Sequence, residues 1–137
     1  MHWRAVLKVI EYLKGTRDKG VTYKKSPSSR LTPYADSSFA ENKQDRRSVS
    51  GGVIFLAVGT ISCFSRMQHC VTLSTTESEY VALSDVAREV VFSRGLLEFL
   101  LPDLQRGTVT VLEDNDGAVK LASNLICTNR TKYIDIT

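Results

Sequence analysis

Three acidic residues occupy positions from which they could act together, although they are far apart in the chain. Asp36 ends one predicted strand, Glu77 lies at the start of a long helical pattern, and Asp114 follows another predicted strand. Three carboxylates that converge without a basic partner repel one another, so such a cluster indicates bound divalent cations. Hard oxygen ligands select Mg²⁺ or Mn²⁺. Two such ions about 3.5–4 Å apart commonly hydrolyse a phosphodiester, one activating water and the other stabilising the leaving oxygen.

Each acid also has a purely structural explanation. Ser74 and Glu77 fit the Ser-x-x-Glu pattern of a capping box, in which the glutamate binds a backbone amide at the helix start. Asp114 and Asn115 precede a short helical pattern and fit a helix N-cap. Taken singly, each acid favours the structural explanation. The three together, in this order of elements, favour a metal site. Glu79, two residues after Glu77, lies on another side of the helix and is less suited as a ligand.

The pattern of hydrophobic residues predicts the elements that must bring the acids together. Alternating and β-branched runs predict three strands in an antiparallel meander, followed by a long helix, a fourth strand and a short helix. The predicted strands are 31–36, 49–58, 60–65 and 108–112, and the predicted helices are 75–101 and 117–123. A helix between strands is the crossover that lays the fourth strand parallel to a neighbour. If that neighbour is the first strand, Asp36 and Asp114 emerge at the same carboxyl edge of the sheet.

The chain divides into a short leading segment and a main domain. Apolar residues at helical spacing predict an amphipathic helix over 2–14, which Gly15 terminates. A polar stretch containing Pro27 follows and is typical of a linker. We therefore predict a connection segment at residues 1–30 and one domain at residues 31–137.

Composition excludes several classes of protein. The chain has 137 residues, 42% of them hydrophobic, and a formal net charge of +3, which suits one globular domain that tolerates a polyanionic partner. Three cysteines without paired spacing argue against a disulfide framework and against a zinc site. No signal peptide and no long apolar run are visible, so we expect an intracellular protein, cytoplasmic or nuclear, that neither is secreted nor crosses a membrane.

Several stretches carry a more specific pattern. They are Tyr-Ala-Asp at 34–36, Asp-Arg-Arg-Ser-Val-Ser-Gly at 45–51, Leu-Ser-Thr-Thr-Glu-Ser-Glu-Tyr-Val-Ala-Leu at 73–83, Asp-Asn at 114–115 with Ala118, Leu121 and Ala122, and Arg-Thr-Lys-Tyr-Ile-Asp-Ile at 130–136. In this order they resemble the ribonuclease H domain of copia-type LTR-retrotransposon Pol polyproteins. Residues 2–5 and 12–16 resemble the segment that joins reverse transcriptase to that domain.

The resemblance implies a ribonuclease H-like mixed sheet, with three antiparallel strands, then a parallel strand, and flanking helices. It implies hydrolysis of the RNA strand of RNA–DNA hybrids with Mg²⁺ or Mn²⁺, beside the reverse transcriptase portion of the same polyprotein. Asp36, Glu77 and Asp114 would be both catalytic and metal-binding. Arginine side chains bind phosphates, and glycine backbone without a side chain lets a nucleic acid approach closely. Serine and threonine hydroxyls form hydrogen bonds with the ribose 2′-OH. The expected nucleic-acid contacts are Arg46, Arg47, Gly51, Gly52, Ser74, Thr75 and Asn115.

The chain also departs from the family pattern. Ser38 replaces a second acid, and Glu113 stands where cysteine is common. The family continues into a further strand and helix that carry a fourth metal-binding aspartate, and these are missing here, so the resemblance implies an incomplete two-metal site. The alternative is therefore a catalytically inactive truncated remnant that acts, if at all, as a nucleic-acid- or protein-binding module. An unrelated small α/β binding domain is a third possibility.

Overall fold

The three helices and the first three strands follow the predicted order. The computed structural model describes residues 2–24, 30–102 and 107–123, and the motif at 130–136 lies outside them. Within this part, three helices accompany one three-stranded antiparallel sheet, which confirms the α/β class. The elements are α1 (His2–Gly15), β1 (Leu31–Ser38), β2 (Val49–Leu56), β3 (Gly59–Met67), α2 (Thr75–Leu100) and α3 (Asp116–Ser123).

The sheet is a meander in the order β1-β2-β3, as the alternating sequence predicts. β1 and β2 run antiparallel in a register that pairs Leu31 with Leu56 and Ser38 with Val49. β2 and β3 are also antiparallel and are joined by the two residues between Leu56 and Gly59, with an irregularity between Ile54 and Phe55. Because side chains alternate between the two faces of a strand, the register fixes which residues face α2.

The core lies between one face of the sheet and α2. Its buried apolar residues are Leu31, Ala35, Ile54, Val86 and Val90. Val86 and Val90 of α2 are four residues apart and lie on one side of the helix. They pack on the face of β1 that carries Leu31 and Ala35. Burying this stripe holds α2 across β1 and β2, which sets the position of the first turn of the helix over the carboxyl end of β1.

The predicted fourth strand does not form a full strand. Residues 108–112 contribute an isolated parallel bridge between Leu112 and Tyr34 of β1. Two backbone hydrogen bonds support the bridge: the amide of Ala35 donates to the Leu112 carbonyl at 3.0 Å, and the amide of Leu112 donates to the Pro33 carbonyl at 2.9 Å. The segment thus lies beside β1 and runs parallel to it, as predicted, over a much shorter length.

The first helix is exposed on its apolar side as well as its polar side. Trp3 and Tyr12 are each more than two-thirds exposed. The chain returns to the sheet at Tyr23, whose hydroxyl donates a hydrogen bond of 2.6 Å to the Thr60 carbonyl. Among the residues that the structure describes, no helix combines the length and the apolar character that crossing a membrane requires.

Candidate functional site

Two of the three predicted acids come together at the carboxyl end of β1. The parallel bridge places Leu112 beside Tyr34, two residues before Asp114 and Asp36 respectively, and the charges of both aspartates act on Glu79. Both of these aspartates are solvent-exposed. Asp36 lies on the face of β1 opposite to Ala35, which is buried against α2.

The side chain of Glu77 caps the start of α2. The side chain of Ser74 accepts a hydrogen bond of 3.2 Å from the Glu77 amide, and the Glu77 carboxylate accepts one of 2.7 Å from the Leu73 amide. These two bonds satisfy amide groups that have no partner within the helix, as in a capping box. The geometry therefore gives the Glu77 side chain the structural role that was the alternative to metal binding.

Glu79 is the glutamate of α2 that faces the aspartates. Two residues along an α-helix correspond to about 200° around its axis, so Glu77 and Glu79 project in nearly opposite directions. Glu79 belongs to the buried face of the helix and is only 8% exposed. The full set of buried residues on this face is Ser78, Glu79, Ala82, Val86, Val90 and Ser93. The sequence analysis favoured Glu77, and its metal-binding role stays a prediction beside that of Glu79.

Glu113 is a second glutamate that the sequence analysis did not select. It precedes Asp114 and is partly buried, and its Oε1 accepts a hydrogen bond of 3.1 Å from the Asn115 amide. Asn115 in turn caps α3, because its Oδ1 accepts a 3.0 Å bond from the Ala118 amide. The expected role of Asn115 at a nucleic acid is thus combined with a capping role that fixes the segment carrying Glu113 and Asp114.

The electrostatics of these acids show that they share one neighbourhood. Burial raises the pKa of Glu79 above its ordinary value of 4.5, the nearby Ser37 side chain partly opposes this, and the negative charge of Glu113 raises the pKa further. Asp36 and Asp114 raise it as well. Burial is likewise the main cause that raises the pKa of Glu113, and both aspartates add to it. We call Asp36, Glu79, Glu113 and Asp114 the acidic cluster.

The cluster is not a preformed metal cage. Within residues 2–24, 30–102 and 107–123, no three His, Cys, Asp or Glu side chains are grouped closely enough to hold a metal ion together. Among the described residues, Glu79 Oε2 and Glu113 Oε2 are nevertheless buried without a hydrogen-bond partner, as is Gln68 Oε1. Buried oxygens of this kind are costly to leave unpaired, so each has room for a water or an ion as its partner.

A buried polar network positions the first turn of α2 on the sheet. The Gln68 side chain donates to the Ser50 hydroxyl at 3.0 Å and to the Ser78 carbonyl at 2.9 Å. The Ser37 hydroxyl donates to the Ser78 hydroxyl at 2.8 Å and also lies beside the Glu79 carboxylate. All of these groups are at least partly buried, so the network holds Glu79 against the end of β1 with little freedom.

The two glycines expected at the nucleic acid have different surroundings. Gly52 is buried, and a Cβ placed there would lie 2.6 Å from Phe64 Cζ and 2.7 Å from Val86 Cγ2. Its role is therefore close packing of the sheet against α2, not contact with a ligand. Gly51 lies on the opposite face beside Asp36, where a Cβ would meet only the Asp36 carbonyl at 3.6 Å. Gly51 leaves open backbone next to the acidic cluster.

The other expected contacts lie in the loop between β1 and β2 and at the start of α2. Arg46 and Arg47 belong to the loop between β1 and β2; Arg46 is exposed with φ of 60°, and Arg47 pairs with Asp45 at 3.4 Å. A non-glycine residue in this left-handed region is uncommon, and here the Arg46 amide closes the loop by donating to the Asn42 carbonyl at 2.8 Å. Ser74 is occupied by capping, whereas Thr75 is exposed.

The chain is similar in sequence to known proteins of one class. The chain is homologous to one segment of retrovirus-related Pol polyproteins from transposons. It is 33% identical over 135 residues to the Retrovirus-related Pol polyprotein from transposon TNT 1-94 of Nicotiana tabacum, covering 98% of this chain and 10% of that protein. It is 34% identical over 133 residues to the Retrovirus-related Pol polyprotein from transposon RE2 of Arabidopsis thaliana, covering 97% of this chain and 9% of that protein. The chain thus spans about a tenth of the length of these polyproteins.

A relative with a different name matches a shorter stretch. The Secreted RxLR effector protein 161 of Plasmopara viticola is 37% identical over 91 residues, which are 66% of this chain and 64% of that protein. No protein-family model and no solved structure matches the chain. The comparisons therefore show similarity to one segment of retrotransposon Pol polyproteins, and they leave the activity to be argued from the site.

Proposed function

We propose that this chain is a ribonuclease H-like domain of a retrotransposon Pol polyprotein that hydrolyses the RNA strand of RNA–DNA hybrids with Mg²⁺ or Mn²⁺. The observation that carries the proposal is the acidic cluster, in which Asp36 and Asp114 meet at one sheet edge with Glu79 beside them. The homology to Pol polyproteins supports a substrate formed during reverse transcription and a partner in the reverse transcriptase portion of the same polyprotein.

The donor chemistry of the cluster fits a hard divalent cation. All its donors are carboxylates. In the part of the chain that the structure describes, two of their oxygens are buried without partners, and the ion pairs involve none of the four acids. Since the carboxylates repel one another, a cation would draw them closer than they now stand. A bound cation would supply a polarised water and charge stabilisation for the leaving oxygen.

The residues around the cluster suit the orientation of a hybrid. Asp36 and Asp114 face solvent, so they are accessible to a phosphodiester and to the attacking water. Thr75 and the open backbone at Gly51 lie on elements next to the cluster and suit a ribose or a phosphate. Arg46 and Arg47 suit phosphates further along the strand, which would make binding salt-dependent.

Cleavage of a labelled RNA–DNA hybrid with Mg²⁺ tests the proposal. We expect the native chain to cut the RNA strand and Asp36→Asn to lose at least about a hundredfold in rate, because cation stabilisation is worth several kcal/mol. Glu98→Gln, which removes one acid at the far end of α2, is the matched control and should cut normally. Glu79→Gln should be as defective as Asp36→Asn, and Glu77→Gln should retain most of the activity. Equal rates for native chain and Asp36→Asn would refute the proposal.

A second candidate function is supported by the spacing of the acids. Because no three of the described acids are grouped closely enough to hold an ion, the chain could instead be an inactive remnant that binds a nucleic acid or a protein. Fluorescence anisotropy of the same hybrid distinguishes the two functions. Binding without cleavage, unchanged by Asp36→Asn and weakened by Arg46→Ala, would favour the binding module.

A further inference from the structure

Glu113 lies on the same side of the sheet edge as Glu79. The bridge places Leu112 opposite Tyr34, so the next residue, Glu113, is level with Ala35 and shares its face. Ala35 is buried against α2, the helix that carries Glu79. The acidic cluster therefore has two layers, with Glu79 and Glu113 between the helix and the sheet and the two aspartates in solvent.

Both glutamates of the buried layer have an oxygen to which no group of the described residues bonds. Glu79 is more than nine-tenths buried, and its Oε2 has no hydrogen-bond partner among residues 2–24, 30–102 and 107–123. Within the same residues Glu113 Oε2 is also buried and without a partner, while its Oε1 is fixed by the Asn115 amide. A charged carboxylate is rarely kept in such a position unless it is paired or coordinates a metal. No basic side chain in the described ion pairs is directed at either glutamate.

We propose that Glu113 is a cation ligand, with its Oε2 binding the same divalent ion as Glu79 and adding a fourth carboxylate to the site. This inference rests on the proposed metal-dependent function. Glu113 provides a further acid on the segment that already carries Asp114. The additional carboxylate also explains why a glutamate is tolerated at a half-buried position.

Binding of Mn²⁺ to the full chain, followed by calorimetry and by the electron paramagnetic resonance of free Mn²⁺, tests the inference without requiring catalysis. We expect Glu113→Gln, which preserves the shape of the side chain, to weaken Mn²⁺ binding at least about tenfold, the lower end of the loss seen when support of a metal site is removed. Glu98→Gln should bind like the native chain. Glu113→Asp, which keeps the charge but shortens the side chain, should fall between Glu113→Gln and the native chain.

The outcomes separate this inference from the proposed function. Normal Mn²⁺ binding by Glu113→Gln, together with lost binding by Glu79→Gln, would overturn the role of Glu113 and leave the nuclease proposal standing. No Mn²⁺ binding by the native chain would overturn both. Circular dichroism of each variant reports whether it folds, and the rise in melting temperature on adding Mn²⁺ should be smaller for Glu113→Gln than for Glu98→Gln.

Discussion

Two adjacent glycines provide a sharp test of how the sheet and α2 are packed. At Gly52, an added methyl group would lie 2.6 Å from Phe64 Cζ and 2.7 Å from Val86 Cγ2, both well inside normal contact. At Gly51, the added methyl group would meet only the Asp36 carbonyl at 3.6 Å, an ordinary contact. Overpacking a dense core costs about 1–3 kcal/mol. Because two elements would have to shift, we expect Gly52→Ala to lie at the upper end of this range and Gly51→Ala to be nearly neutral.

Urea unfolding followed by circular dichroism measures this difference. The single tryptophan, Trp3, is 69% exposed on α1, so its fluorescence is a poor probe of the core. Gly52→Ala should lower the urea midpoint at an unchanged slope, while Gly51→Ala should leave the midpoint unchanged. In a cleavage assay, Gly51→Ala should instead weaken substrate binding, because the methyl group covers open backbone beside Asp36. Equal stability of the two variants would refute the assignment of Gly52 to packing and of Gly51 to the site.

Two further perturbations test the network and the charges around Glu79. Gln68→Leu removes the donor to the Ser50 hydroxyl and leaves that buried group unpaired, so it should cost about 1–3 kcal/mol in the free energy of unfolding by urea. The pKa of Glu79 and of Glu113 is raised in the folded state, so protonation favours folding. The stability that these protons confer should be complete below pH 4.5, the ordinary pKa of a glutamate, and lost as the pH rises through the raised pKa values of the folded state. In the absence of metal, Glu79→Gln should flatten this part of the profile of stability against pH. A profile that Glu79→Gln leaves unchanged would contradict the burial of that carboxylate.

The sequence predicted the meander and the long helix well because their signals are local. Alternation marks β1 to β3, and Ser74 marks the start of α2. The segment at 108–112 alternates just as clearly, but its backbone makes only two hydrogen bonds to β1. An alternating pattern reports which side chains are half-buried, and a strand also needs a bonded neighbour along its length. Val109 and Val111 pack on the core, which accounts for the alternation without a full strand.

The choice between Glu77 and Glu79 shows the limit of local reasoning. Glu77 fits a capping pattern, and that pattern drew attention to the helix start. The information that selects Glu79 is its spacing from Ala82 and Val86, three and seven residues on, which puts it on the buried face. Apolar residues occur around much of α2, so the sequence alone does not single out that face. The packing of the helix on Ala35 does so, and it depends on contacts between distant parts of the chain.

A carboxylate on the apolar face of a helix is a conflict between residue type and environment, and such conflicts mark function more often than structure. Glu79 is costly to bury, whereas Glu77 stabilises the helix by capping it. If the chain needed only stability, an apolar residue at position 79 would serve better and would also relieve the repulsion from Asp36 and Asp114. An acid at the costly position 79 is therefore stronger support for a cation at the cluster than an acid at the stabilising position 77.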